Sequence, residues 1–387
     1  MDIIIHPQPL RGEICIIPSK SQAHRLLICA AFADQPTTLI CKQISADILA
    51  TIGCLRAFGA QIEEISDGFR VTPVSRIPEK ADLYCKESGS TLRFLLPVAG
   101  ALGIDTTFHL EGRLPQRPLS PLWEEMERMG CRLSRPTANT VRCSRQLKSG
   151  TYTIAGNVSS QFISGLLMAF PLMEGNSSLD VTGKLESAPY VQMTVDALSL
   201  FPGRHSPGEI TVEGDWSNGA FFLAANTLGN ALTVTNLNAA SSQGDRICTD
   251  WLSRLSEDKC TIDASDIPDL VPILSVVAAN CMGAVFTNIG RLRLKESDRV
   301  ASTIAMLEGL GGHAEATEDT LTVFGTGLTG GTVDTVNDHR IAMSAAIASS
   351  VCTRPVKILG AECVSKSYPN FWEEFTRLGG NYEQYLR

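Results

Sequence analysis

Basic side chains stand at the heads of apolar segments in this chain, and the first instance sets the pattern. Ser19-Lys20-Ser21-Gln22-Ala23-His24-Arg25 runs directly into Leu26-Leu27-Ile28-Cys29-Ala30-Ala31-Phe32. Pro18 and Ser19 form a helix entrance, with Ser19 placed to cap the free N–H groups of the first turn. The next residues are nearly all apolar, which predicts a helix buried over most of its surface. A helix N-terminus is the positive end of the macrodipole, so Lys20 and Arg25 are badly placed there unless an anion lies between them. Ser21 and Arg25 are four positions apart, share a face and could grip one ligand. Taken alone, the stretch reads more simply as a capped core helix whose basic side chains snorkel to water.

It does not stand alone. Arg93, Arg117, Lys295, Arg299, Arg340 and Lys366 also fall at or near predicted helix entrances. Arg117 lies in Gly112-Arg113-Leu114-Pro115-Gln116-Arg117-Pro118, a loop that reads as lacking an apolar anchor and able to move as a clamp. One by one these would be ordinary solvated charges, Arg93 and Arg113 above all. Together they predict a cleft for more than one phosphate or carboxylate, assembled from the helix N-termini of two domains. Two acids stand among them. Asp269 follows Pro268 in a predicted first turn, where a carboxylate also simply favours the dipole. Glu296 sits in Lys295-Glu296-Ser297-Asp298-Arg299, which equally fits a salt-laced helix start. Within an anion cleft the two would suit general-base and general-acid work.

The elements that must carry these residues recur. After the first helix, Ser88-Gly89-Ser90-Thr91-Leu92-Arg93 leads into Phe94 to Ala99, and Ser159-Ser160-Gln161 into Phe162 to Met168. Asp215-Trp216-Ser217-Asn218 leads into Phe221 to Ala225, Ile267-Pro268-Asp269 into Leu270 to Leu274, and Asn337-Asp338-His339-Arg340 into Ile341 to Ala346. A second family of helices alternates with these, more amphipathic and mostly ending in glycine: Asp47 to Gly59, Pro121 to Gly130, Tyr190 to Phe201, Asp245 to Leu255, Glu296 to Gly311 and Pro369 to Gly379. Short β-branched runs fill the gaps. Six such units indicate internal duplication, and a period of roughly 50–70 residues is too long for a solenoid, so two domains of three units each are expected. The chain is expected to cross between domains near 18–20 and 211–214. Gly325-Thr326-Gly327-Leu328-Thr329-Gly330 matches a dinucleotide-binding pattern, but the next residues read as a strand, so a hairpin turn is expected instead.

Composition fits this reading. A chain of 387 residues, 44% hydrophobic and 19% charged, suits a soluble globular protein of two domains. A net charge of −8 without a basic block argues against a nucleic-acid surface. No apolar run approaches a membrane span, and the N-terminus is too short and acidic for a signal peptide. Twelve scattered cysteines, none closer than eleven positions to the next, exclude zinc-type pairs and suggest buried thiols in a reducing cytoplasm.

Seven of these motifs, in order from residue 19 to 369, resemble those of the 5-enolpyruvylshikimate-3-phosphate synthase family of enolpyruvyl transferases. They are Ser19-Lys20-Ser21 with Arg25, Gln116-Arg117-Pro118, Ser159-Ser160-Gln161, Ile267-Pro268-Asp269, Lys295 to Arg299, Asn337 to Arg340 and Lys366-Ser367-Tyr368-Pro369. The resemblance implies an α/β (α+β) fold of two inside-out, barrel-like domains. Each would hold three β-α-β-α-β-β units, with the ligand cleft between the two domains. Residues 19–212 would form one domain, inserted into a discontinuous second of 1–18 and 213–387. The implied reaction joins phosphoenolpyruvate to the 5-hydroxyl of shikimate 3-phosphate and releases phosphate, on the way to chorismate and the aromatic amino acids. It needs no cofactor or metal, and the implied protein is a cytoplasmic monomer with small-molecule partners only.

Carried over by position, Lys20, Gly89 (through its backbone), Arg117, Gln161, Arg299, Arg340 and Lys366 would hold phosphoenolpyruvate. Ser21, Arg25, Ser159, Ser160, Ser187, Tyr190, Asp269 and Lys295 would hold shikimate 3-phosphate. Asp269 would take the hydroxyl proton, and Glu296, with Lys20 as the alternative donor, would protonate the enol methylene. Glu87 replaces a customary asparagine, Phe94 a frequent proline, and Arg291 a common asparagine. Two alternatives stay open: UDP-N-acetylglucosamine enolpyruvyl transferase, whose mobile loop commonly carries a cysteine that residues 112–118 lack, and a non-catalytic anion-binding module of the same fold.

Overall fold

The first two strands, β1 (Asp2–His6) and β2 (Arg11–Cys15), belong with the last part of the chain rather than with their neighbours in sequence. The computed structural model describes residues 1–385 and divides into two units: Met1–Ile17 with the chain from Gly214 onward, and Pro18–Glu213, inserted in sequence.

The inserted unit starts with α1 (Lys20–Ala31), β3 (Thr37–Ile40), α2 (Ala46–Ala57), β4 (Gln61–Ile65) and β5 (Gly68–Thr72). Next come β6 (Lys80–Lys86), α3 (Gly89–Leu102), β7 (Asp105–Leu110), α4 (Leu122–Arg128), β8 (Arg132–Ser134) and β9 (Thr140–Ser144). It ends with β10 (Thr151–Ala155), α5 (Ser160–Ala169), β11 (Ser178–Thr182), α6 (Ala188–Ser199) and β12 (Glu209–Thr211). These strands form three sheets, ordered β12-β3-β5-β4, β6-β7-β9-β8 and β10-β11.

The host unit repeats the scheme with α7 (Trp216–Thr227), β13 (Ala231–Thr235), α8 (Cys248–Glu257), β14 (Cys260–Asp263), α9 (Val271–Asn280) and β15 (Ala284–Thr287). It continues with α10 (Arg299–Gly309), β16 (His313–Ala316), β17 (Thr320–Phe324), β18 (Gly331–Asp334), α11 (His339–Ala348), β19 (Val356–Leu359), α12 (Phe371–Arg377) and β20 (Asn381–Tyr385). Its sheets are β13-β2, β14-β15-β17-β16 and β18-β19-β1-β20.

Two sheets, β6-β7-β9-β8 and β14-β15-β17-β16, show the full scheme in chain order. Two parallel strands are joined through a buried helix, an amphipathic helix follows, and an antiparallel hairpin completes the sheet. In β6 and β7, Leu83 pairs with Phe108, and Phe108 pairs in turn with Val141 of antiparallel β9. In two of the six the hairpin is missing, since α6 and α8 pass straight to the next unit's first strand.

The helices with small and branched apolar residues on every side, such as α9 and α11, are buried along their length. Gly165 shows why small residues are needed. A Cβ there would lie 2.3 Å from the Arg93 carbonyl oxygen, so α5 packs on α3 only through glycine. Each unit has its own core, one around Phe221, Ile273, Phe286 and Phe371, the other around Leu26, Phe58, Leu95 and Phe162. No helix among the described residues is long and apolar enough to cross a membrane.

The Gly325–Gly330 stretch differs from expectation. It is not a hairpin, because β17 and β18 lie in different sheets. It is the link between two repeats, and a Cβ at Gly325 would sit 2.1 Å from the Cys281 carbonyl oxygen.

Candidate active site

In the inserted unit the cations gather at helix entrances. Ser19 caps α1 by accepting the Gln22 amide at 3.4 Å, and Lys20 comes next with its ammonium 3.0 Å from Asp47 in the first turn of α2. Arg25, one turn on, is 2% exposed. Its guanidinium donates to the Thr194 hydroxyl, the Ser21 carbonyl and the Tyr190 carbonyl, each at 2.7 Å, and to the Ser164 hydroxyl at 3.3 Å. It also stacks 4.9 Å above the Phe94 ring. Among the described residues no carboxylate bonds to it. Burial pulls its pKa down to about 10, as expected for a cation solvated only by hydroxyls and carbonyls. The Ser21–Arg25 contact thus runs through the serine backbone, leaving its side chain out of that bond.

Gly89 and Arg117 come together: a Cβ on Gly89 would lie 2.6 Å from the Arg117 guanidinium. The loop that carries Arg117 does have an apolar anchor, contrary to its sequence reading. Leu114 is buried at 2% exposure in a short 3₁₀ turn, Leu114–Gln116. Gln161 is held from two sides, by Arg93 at 2.8 Å and by the Ser90 hydroxyl at 2.9 Å. Ser159 and Ser160 open α5, and the Ser159 hydroxyl is not spent on capping it. Ser187 opens α6 in a left-handed conformation, φ 55°, and is likewise not used as a side-chain cap.

The host unit carries a denser knot. Asp269 lies in the turn before α9 rather than inside it. Its carboxylate faces three cations: Arg299, which donates to it, Arg340 at 3.2 Å and Lys295 at 3.6 Å. Arg299, 1% exposed, also donates to Glu296 at 2.7 Å and to Asp338 at 2.9 Å. Lys295 and Glu296 are not helical, because Asp298 takes the cap position of α10 by accepting from the Val300 and Ala301 amides. Arg340 opens α11, donates to the Ser217 carbonyl at 3.2 Å and stands 5.9 Å over the Phe221 ring. Lys366 donates from its ammonium to the Asn337 carbonyl at 2.9 Å.

Burial alone would push the Asp269 carboxyl pKa up, but Lys295, Arg340 and Arg299 hold it well below the usual carboxylate range. Burial brings the Lys295 ammonium down to about 8 despite Asp269 beside it. A carboxylate so strongly held is a poor base until some of its cations are drawn to another anion.

Sequence reasoning passed over three acids of these sites, and it read Arg93 only as one of the cations at helix entrances. Asp338 is wholly buried, caps α11 and anchors Arg299. Asp47 neutralises Lys20, Arg93 orients Gln161, and Asp245 lies behind Ser217. The signal for the three acids was their place at helix starts, where an acid is common because it suits the dipole.

Helix entrances lined with buried cations, and a carboxylate clamped among three of them, define a protein built to bind multiply charged anions and move protons beside them. The chain belongs to the EPSP synthase (3-phosphoshikimate 1-carboxyvinyltransferase) family, whose model matches residues 4–375. It is 37% identical, over an alignment 419 positions long, to the 3-phosphoshikimate 1-carboxyvinyltransferase of Clostridium kluyveri, covering 99% of this chain and 98% of that one. The enzyme of the same description from Clostridium acetobutylicum is 38% identical, covering 98% of each. An EPSP synthase structure from Acinetobacter baumannii shares the fold, with a TM-score of 0.80 at 21% identity over the whole of both chains.

Proposed function

We propose that this chain transfers the carboxyvinyl group of phosphoenolpyruvate to the 5-hydroxyl of shikimate 3-phosphate and releases phosphate. The observation that carries the reading is Asp269 clamped by Lys295, Arg299 and Arg340, with Glu296 on the same Arg299. Two substrates of about three negative charges each repel one another strongly unless cations neutralise and orient them. Phosphoenolpyruvate is assigned to Lys20, Gly89, Arg117, Gln161, Arg299, Arg340 and Lys366. Shikimate 3-phosphate is assigned to Ser21, Arg25, Ser159, Ser160, Ser187, Tyr190, Asp269 and Lys295.

Chemistry arises from competition for the guanidinium groups. An anionic substrate that draws Arg299 or Arg340 away from Asp269 raises the basicity of that carboxylate, so it becomes a base when substrates are in place. Glu296 (or Lys20) protonates the methylene carbon of phosphoenolpyruvate, leaving a cationic centre at the next carbon. The substrate hydroxyl attacks that centre as Asp269 takes its proton. The tetrahedral adduct then breaks its carbon–oxygen bond to phosphate and returns a methyl proton, which restores the vinyl group.

Phosphate release measured with both substrates together tests the reading. Release that requires both supports it. Release with UDP-N-acetylglucosamine in place of shikimate 3-phosphate would favour the related sugar-nucleotide enzyme, and no release with either would leave an anion-binding module. We place the activity in the cytoplasm, a reading supported by the free and mostly buried thiols, and in a monomer. Sedimentation at the monomer mass checks the second point.

A further inference from the structure

Asp245 belongs to none of the roles above, yet it is one of the most deeply placed acids of the host unit. It sits in the 3₁₀ turn Gly244–Ile247 that leads into α8 and is 2% exposed. The Ser217 hydroxyl donates to its carboxylate, and the carbonyl of the same Ser217 accepts from Arg340 at 3.2 Å. One residue therefore links Asp245 to the guanidinium that faces Asp269. The turn is locked in place by its neighbour Gln243, which accepts the Trp216 amide at 3.0 Å and donates to the Gly214 carbonyl at 2.9 Å.

The charge balance around Arg340 is unusual. Lys295, Arg299 and Arg340 are interleaved with Asp269, Glu296 and Asp338, and Asp245 adds a further buried acid behind them. The groups acting on Asp245 come from every side: Asp269 from the turn before α9, Arg340 from α11, Asp215 and Ser217 at the start of α7, and the Cys248 thiol on α8. Arg340 is the cation among them. A further anion on Arg340 would add negative charge and cancel the field that keeps Asp245 ionised.

We propose that Asp245 takes up a proton when an anionic substrate binds at Arg340, and so balances the charge that the substrate brings into the cluster. It is a positioning residue that acts through Arg340 and does not touch the substrate. The inference rests on the assignment of Arg340 to phosphoenolpyruvate. Burial, and next the neighbouring Asp269, already push the Asp245 carboxyl up to about 6, so near neutral pH a modest extra push suffices to protonate it.

The test is calorimetry of phosphoenolpyruvate binding in the presence of shikimate 3-phosphate, in buffers of different ionisation enthalpy at neutral pH. The parent should take up roughly half a proton or more beyond that of Asp245→Asn, whose amide oxygen still accepts from Ser217. Equal proton uptake by the two proteins would overturn the inference while leaving the functional reading intact. A parent that neither binds phosphoenolpyruvate nor releases phosphate would overturn both. Ser217→Ala covers the case in which Asp245→Asn does not fold. Loss of the donated hydrogen bond raises the Asp245 pKa, so much of the protonation precedes binding and the uptake falls below the parent's; uptake unchanged from the parent would again overturn it.

Discussion

Replacing Asp338 by asparagine separates two jobs done by one side chain. One carboxylate oxygen accepts the Arg340 amide at 2.9 Å and caps α11, and an asparagine oxygen can do the same. The other accepts from Arg299 Nε and from the Ser297 hydroxyl, both at 2.9 Å, and there an amide nitrogen would present a donor to two donors. If Asp338 served only as a cap, Asp338→Asn would cost a few tenths of a kcal/mol or nothing. Removing one partner of a buried ion pair costs about 3–5 kcal/mol, because the remaining charge stays buried without its counter-ion. Arg299 keeps Asp269 and Glu296, so the lower end of that range is expected.

Urea unfolding followed by tryptophan fluorescence reads the right unit, since Trp216, Trp251 and Trp372 of the four tryptophans lie in it. Asp298→Asn is the control. Asp298 caps α10 but is half-exposed, so its change should cost less than about 1 kcal/mol. Burial raises the pKa of Asp338, but Arg299 lowers it further, to a net value below the ordinary one. The stabilisation is therefore complete above the unfolded pKa of about 3.9 and is lost as pH falls through the folded value. The gap between parent and variant should be flat through neutral pH and close in acid. A cost below about 1 kcal/mol, or a gap that does not narrow in acid, would refute the reasoning.

Three further outcomes are expected. Asp269→Asn should weaken shikimate 3-phosphate binding and slow turnover together, whereas Glu296→Gln should keep binding and lose roughly 10²–10⁴-fold in rate. Entry of solvent deuterium into the methylene of phosphoenolpyruvate should stop in Glu296→Gln, and exchange at the parent rate would move the proton to Lys20. Gly89→Ala should fold normally but raise KM for phosphoenolpyruvate roughly tenfold, because its Cβ would lie 2.6 Å from the Arg117 guanidinium; an unchanged KM counts against a role for that contact. Ser187→Gly should raise the melting temperature by relieving about 1 kcal/mol of left-handed strain while weakening shikimate 3-phosphate binding, and no rise would show that the φ of 55° carries no strain.

The start of α1 at Lys20 and its Ser19 cap were legible because capping and an apolar run act locally. The sixfold alternation of buried and amphipathic helices was legible for the same reason. Strand partners were not, and the Gly325–Gly330 stretch shows it: the same local pattern serves a hairpin or a crossing, and only the destination of β18 decides. The missing hairpins after α6 and α8 were invisible because an absent element leaves no pattern. In the site, the cations and two carboxylates were readable as residue types at helix entrances. Asp338, Asp47 and Asp245 were passed over because an acid at a helix start is ordinary, and their partners lie far away in sequence. Glu296 reads as helical in the sequence because nothing local marks Asp298, two positions later, as the cap.

The position of β1 in the middle of the sheet β18-β19-β1-β20 has a consequence for how the protein is made. β1 needs β19 and β20, which leave the ribosome long after it, on either side of it. The inserted unit, by contrast, is closed by β12 pairing with β3 and needs no residue beyond 213. Vectorial synthesis therefore lets the inserted unit fold first, while β1 and β2 wait with their apolar faces unpaired. A chaperone that holds nascent chains would find its client in that N-terminal stretch, and ribosome-stalled chains ending near residue 250 should protect residues 18–213 from protease but leave 1–17 open to it.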